Sequence, residues 1–203
     1  MKTFLAIVTA STLLGFSLLA AEPTAPVVPR PAPELTFTLP GKGPVELSQY
    51  RGKVVCLAFM FTTCPHCQAK SKELTKLQED LGPRGLQVIG IAVNPNADLL
   101  TENFVKDFKI GFPVGYMPSE RLISFMGFNS TDRWVVPQLA LLDRKGTIRY
   151  QTTATETDAW DKLMATEALR GHIEELLNMG GGGKTASTAQ HKSLPGLDTP
   201  VKY

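Results

Sequence analysis

Two apolar runs, "KVVCLAFMF" at residues 53–61 and "LQVIGIAV" at 86–93, constrain this chain more than any other feature. Both are nearly continuous rather than alternating, which is the pattern of strands covered on both faces. The stretch between them is long enough for a helical crossover. It carries Leu74, Leu77 and Leu81 at spacings of three and four, and "GPRG" closes it. The two strands are therefore expected to run parallel, joined by a helix over 65–81.

Beyond residue 93 the alternation of elements continues. "ADLLTENFVKDF" (97–108) and "SERLISFMGF" (119–128) carry helical periodicity. "QLALLD" (138–143) follows a proline, and "TIRYQT" (147–152) follows "RKG", so a tight hairpin is expected there. A single last helix is expected over 157–179, halted by glycines and carrying His172 as a structural histidine. Strand–helix–strand–helix followed by a hairpin and a final helix describes an α/β sandwich with a mixed sheet.

The ends read differently from the middle. Residues 1–21 hold one early cation, Lys2, and then an uncharged apolar run, the layout of a secretory signal. The run also reaches the lower limit of about 18 residues for a spanning helix, so a retained N-terminal anchor is the other reading. In both cases the folded part would face an oxidising compartment, periplasmic or extracellular. Residues 22–32 are proline-rich and read as an extended linker. The domain is expected over 33–179, and the glycine-led segment 180–203, with His191, as a disordered tail. A net charge of +2 without a long basic run gives no reason to expect a nucleic-acid partner.

The chain has three cysteines, and two of them stand in "TTCPHCQAK" where the first apolar run meets the first helix. Thr63 can cap that helix, and Pro65 suits a first turn in which its missing N–H has no partner. Cys64 would then face the positive end of the helix, where thiolate is favoured over thiol, with His66 adding cationic character. Cys67, one turn along, could attack a mixed disulfide on Cys64 and release the partner. A purely structural Cys64–Cys67 staple is disfavoured, because closing so short a loop removes little chain entropy. Cys56, inside the strand, reads as a small buried hydrophobe.

At this point a resemblance becomes specific. "CPHC" at a helix start, with "VVP" (135–137) before the hairpin, resembles the thioredoxin superfamily. The stretch "PAPELTFTLPGKGPVELSQYRGKVVCLAFMFTTCPHC", together with "VIGIAVN" and "FKIGFPV", is similar to the ResA/TlpA-like redoxin branch of exported thiol–disulfide oxidoreductases. The likeness spans about residues 32–178 and implies a thioredoxin-like three-layer α/β/α sandwich. It further implies a short hairpin near the entry, a cis Val136–Pro137 bond beside the CxxC, and pairing of the Val136 backbone with an extended substrate segment. By the same resemblance Cys64 and Cys67 cycle between dithiol and disulfide, without a cofactor or a metal. The partners implied are protein thiols and disulfides, including apocytochromes or metal-centre assembly factors, and a membrane electron donor. A monomer is expected.

Departures from the pattern bear on mechanism. Thr63 stands where that branch usually has tryptophan, and Ala58 where thioredoxins place a buried acid. After "VN" the sequence offers Ala97, with Asp98 nearby, in place of the branch's glutamate, so the proton acceptor for Cys67 is open. The Pro-His pair is that of strongly oxidising DsbA-type proteins, so the direction of electron flow is open as well, with disulfide reduction favoured. Two other functions compete. A copper-delivery protein of this fold would need ligands from His172, His191, Met60, Met117 or Met126, and its cysteines are typically separated by three intervening residues, whereas two separate Cys64 from Cys67. A peroxiredoxin-type peroxidase would need a proline and a threonine at fixed spacing before its cysteine, whereas Phe61 occupies the threonine's place.

Overall fold

The computed structural model describes residues 26–179. The signal or anchor expected over 1–21 and the tail over 180–203 lie outside them. The strands are β1 (Arg30–Pro31), β2 (Thr36–Leu39), β3 (Gly43–Glu46), β4 (Val54–Met60), β5 (Leu86–Ala92), β6 (Val114–Tyr116), β7 (Gln138–Leu142) and β8 (Thr147–Gln151). The helices are α1 (Pro65–Leu81), α2 (Ala97–Phe108), α3 (Ser119–Met126), α4 (Asp158–Met164) and α5 (Thr166–Asn178).

All strands join one mixed sheet, in the order β1-β8-β7-β4-β5-β6-β2-β3. β4 lies inside it, parallel to β5 from Val54↔Leu86 to Met60↔Ala92 and antiparallel to β7. The parallel pair expected from the two apolar runs is present. Every residue of β4 and β5 is buried, which accounts for runs without alternation.

The two faces of β4 feed two cores. Val54, Cys56, Ala58 and Met60 pack with α1, α2, α4 and α5; Val55, Leu57 and Phe59 pack with α3, β2 and β3. That period of two assigns Cys56 to the α1 side, in the same cluster as Cys67. The result is the expected three-layer sandwich around a mixed sheet. The β2–β3 hairpin implied by the resemblance is also present.

Four features depart from the sequence reading. The stretch expected as a linker over 22–32 is already part of the sheet at Arg30 and Pro31, which pair with Ile148 and Thr147 of β8. An edge strand tolerates proline on its unpaired side. The Arg30 guanidinium fastens it, donating to the Phe125 carbonyl and to Gln151 Oε1, both at 2.8 Å. The three-residue β6 was not anticipated at all. α3 stops at Met126 rather than 128, because Gly127 takes φ +70° and its N–H caps back onto Ser124. The single last helix is two, broken at Ala165, whose backbone is extended (φ −64°, ψ 127°). The break leaves the Met164 carbonyl to Lys70 Nζ of α1, at 2.8 Å.

Candidate dithiol site

β4 delivers the chain to the site, and a tight turn redirects it into α1. The Cys64 N–H donates to the Phe61 carbonyl (3.1 Å), and the Cys64 carbonyl accepts the Gln68 N–H (3.0 Å). Cys64 is thus itself the N-cap residue, with extended backbone (φ −83°, ψ 121°), and Pro65 is the first helical residue. Thr63, expected as the cap, is exposed and lies one residue too early, since the helical hydrogen-bond ladder starts at the Cys64 carbonyl. Pro65 and His66 are exposed on the first turn. The Cys64 side chain therefore emerges, half-buried, where the unpaired N–H groups of α1 converge.

Cys67 sits one turn further and is 1% exposed. Burial pushes its thiol far above the ordinary range. Hydrogen bonding from the backbone at Phe61 opposes this, while the hydrogen bond and charge of the adjacent Cys64 side chain raise it further. The two sulfurs are thus within hydrogen-bond reach as free thiols, one partly accessible and one sealed. Ala58 is buried, and Asp98 is exposed at the start of α2. Cys56 is fully buried, which raises its thiol to about 12, with the Lys70 ammonium pulling slightly the other way.

Neighbouring polar residues hold the approach to Cys64 rigid. Asn94, just past β5, accepts at Oδ1 both the Thr62 N–H (2.9 Å) and the Thr62 hydroxyl (3.3 Å), and its Nδ2 donates to the Pro95 carbonyl (3.0 Å). Gln68 Nε2 donates to the Thr62 carbonyl at 3.0 Å. Thr62 and Asn94 are both buried, so these bonds satisfy groups that would otherwise be costly. Sequence reasoning missed all three. The available signal was a polar residue directly after each of two apolar strands.

The loop before β7 completes the arrangement. Phe59 pairs with Gln138 in antiparallel register, so the start of β7 lies beside the end of β4. The Val136–Pro137 peptide is cis, Pro137 is buried and Val136 half-buried. Cys64 and Val136 pack against the same core cluster, the one that contains Cys67. The site residues read from the sequence are therefore gathered at one end of the sheet. His172, by contrast, lies on α5 against Tyr150, with ring centroids 4.0 Å apart. His191 lies outside the described residues. Among the described residues no three His, Cys, Asp or Glu side chains converge as a metal site.

Comparison with known proteins fits this geometry. A model of the AhpC/TSA family matches residues 28–151, more than half of the chain. The chain belongs to the AhpC/TSA family. The match begins within the proline-rich stretch, in keeping with the place of β1 in the sheet. Among similar proteins, this AhpC/TSA-family chain is 25% identical over 170 residues to the thiol-disulfide oxidoreductase ResA of Bacillus thuringiensis (strain Al Hakam), covering 82% of this chain and 90% of that protein. It is 25% identical over 167 residues to the ResA of Geobacillus thermodenitrificans (strain NG80-2), covering 80% and 87%. The fold matches a thioredoxin-family thiol:disulfide interchange protein of Chlorobium tepidum TLS with a TM-score of 0.59 and 22% identity, over 75% of this chain and 99% of that one. It also matches the thioredoxin domain of a thiol-disulfide oxidoreductase from Bacteroides vulgatus, with a TM-score of 0.60 and 16% identity over 76% and 100%. The fold is thioredoxin-like.

Proposed function

We propose that this AhpC/TSA-family protein, a thiol–disulfide oxidoreductase, acts outside the cytoplasm as a reductase of protein disulfides through Cys64 and Cys67. The observation that carries the reading is the asymmetry of the pair: Cys64 half-exposed at a helix N-terminus, Cys67 sealed one turn away and within reach of it.

The chemistry follows from that asymmetry. Cys64, reacting as its thiolate at the head of α1, attacks one sulfur of a substrate disulfide. A mixed disulfide forms, and the second substrate sulfur leaves as a thiolate. That thiolate takes the proton of Cys67 and so serves as its acceptor. Cys67 then attacks Cys64 Sγ, closing the Cys64–Cys67 disulfide and freeing the first substrate sulfur as a thiolate, which takes a proton from solvent. The substrate gains two electrons and the pair loses two, to be returned by a membrane-bound thiol donor. Pro65 and His66 set the potential, with Thr63 as the exposed residue before them, and Val136 and Pro137 line the place where an extended substrate segment pairs with the backbone. An exported domain behind a signal or anchor at 1–21, working as a monomer on apocytochromes or metal-centre assembly factors, fits this chemistry.

Reduction of insulin disulfides in the presence of dithiothreitol tests the reading. The wild-type protein accelerates precipitation of the insulin B chain, and Cys64→Ser abolishes the acceleration. Full activity in Cys64→Ser would refute the role given to Cys64.

A further inference from the structure

Gln138 is the one polar residue of β7, and it is fully buried in the interior of the sheet. A carboxamide in that position is costly unless all of its groups are bonded. Its Nε2 donates to the Val135 carbonyl (3.0 Å) and to the Ala154 carbonyl (3.2 Å), and its Oε1 accepts the Thr152 hydroxyl. Thr152, 1% exposed, accepts in turn the Leu139 N–H at 3.0 Å. The Val135 N–H donates to the Ala154 carbonyl at 2.9 Å. One buried side chain thus ties the residue before Val136 to the segment that follows β8.

This arrangement leaves out Val136 and Pro137, of which only Val136 has an N–H to offer. Val135 is bonded at both its N–H and its carbonyl, and Gln138 is paired in the sheet through its backbone. Between them, Val136 contributes neither group to the backbone hydrogen bonds of the described residues. A buried hub that freezes the neighbours of an unpaired peptide group is more than packing requires. The other β7 residues, Leu139, Ala140, Leu141 and Leu142, are apolar and equally buried.

We infer that Gln138, held by Thr152, is a positioning residue that fixes the backbone at residues 135–136 so that Val136 pairs with an extended polypeptide carrying the target disulfide. The inference rests on the proposed reductase reading and adds to it the two side chains, Gln138 and Thr152, that aim the Val136 peptide group. Such a segment gains hydrogen bonds at Val136 only if that peptide group is already aimed, and preorganisation of this kind is expressed in binding rather than in the sulfur chemistry.

The test compares insulin with a small aromatic disulfide as substrates. In Gln138→Leu the KM for insulin rises about tenfold with a much smaller change in kcat. The rate with the small disulfide and the equilibrium of Cys64–Cys67 with glutathione stay within twofold of wild type. Since Gln138→Leu also leaves the Val135 carbonyl unpaired and takes one of two donors from the Ala154 carbonyl, Thr152→Val and Thr152→Ser form a second pair: the valine raises KM and the serine, which keeps the hydroxyl, restores it. An unchanged KM in the folded variants, or equal losses on both substrates, overturns the inference. If the wild-type protein fails to reduce insulin at all, the proposed reaction falls, and the inference with it.

Discussion

Phe59 of β4 stands opposite Gln138 of β7 in antiparallel register. That pairing brings two distant stretches of sequence, the turn into Cys64 and the loop holding Val136 and Pro137, to the same end of the sheet. Because β4 runs toward this end and β7 away from it, the dithiol and the loop are held by the rigid centre of the fold.

Cys67→Ser retains the attacking sulfur and removes the one that resolves. Mixed disulfides on Cys64 are therefore expected to accumulate with substrate proteins, stable on non-reducing gels and released by dithiothreitol. Cys64→Ser under the same conditions yields none. Equal trapping by both variants would contradict the division of roles.

His66→Pro leaves α1 intact, because a first-turn N–H has no helical partner to lose. It removes the imidazole from the stretch between the two cysteines, and with it a side chain proposed to favour the reduced pair. The reduced form is then less favoured, and the couple becomes more reducing. A shift of about tenfold in the equilibrium constant with glutathione, roughly 30 mV for two electrons, is expected. An unchanged equilibrium would count against any tuning role for His66.

Asn94→Ala leaves the Thr62 N–H and hydroxyl without their acceptor in a buried place. A cost of about 1–3 kcal/mol is expected in urea denaturation. Activity should fall further than this loss implies, since Thr62 lies within the turn, two residues before Cys64. Stability equal to wild type would mean that the Asn94 contacts do not hold the turn.

How far these features were legible from sequence depends on whether their causes are local. α1 begins at Pro65 and ends at Leu81 as expected, because proline and glycine mark those ends in the chain itself. β4 and β5 were legible from uninterrupted apolarity. The break at Ala165 was not, because the group that takes the Met164 carbonyl, Lys70, is 94 residues away. β1 was hidden by prolines that read as a tether until Arg30 is seen to reach Phe125 and Gln151. In the site, the cysteines and the proline announce themselves by spacing and neighbours. Asn94, Gln138 and Thr152 do not, since each acts through a bond to a residue brought near only by the sheet, and Gln68 does not because it meets the Thr62 carbonyl only once the turn into α1 has formed.

The reduced protein should lose stability at alkaline pH. Burial raises the Cys56 thiol from an ordinary 9.0 to about 12, so above pH 9 the unfolded chain sheds a proton that the folded state keeps. The contribution is fully present below pH 9 and is lost as pH rises toward 12; Cys67 adds a loss of the same sign. Cys56→Ala removes one share of it. Its stability is about 1 kcal/mol below wild type at pH 7, and the gap narrows as pH rises, as measured by urea denaturation across that range. A gap that widens with pH would reverse the assigned sign.

The proposed chemistry depends above all on one accessible and one sealed sulfur at the head of α1. Alkylation of the reduced, native protein with limiting iodoacetamide, followed by peptide mass mapping, tests this directly. The prediction is that Cys64 alone is modified, with Cys67 and Cys56 labelled only after unfolding in denaturant. Labelling of Cys67 or Cys56 as fast as Cys64, or an unreactive Cys64, would contradict it.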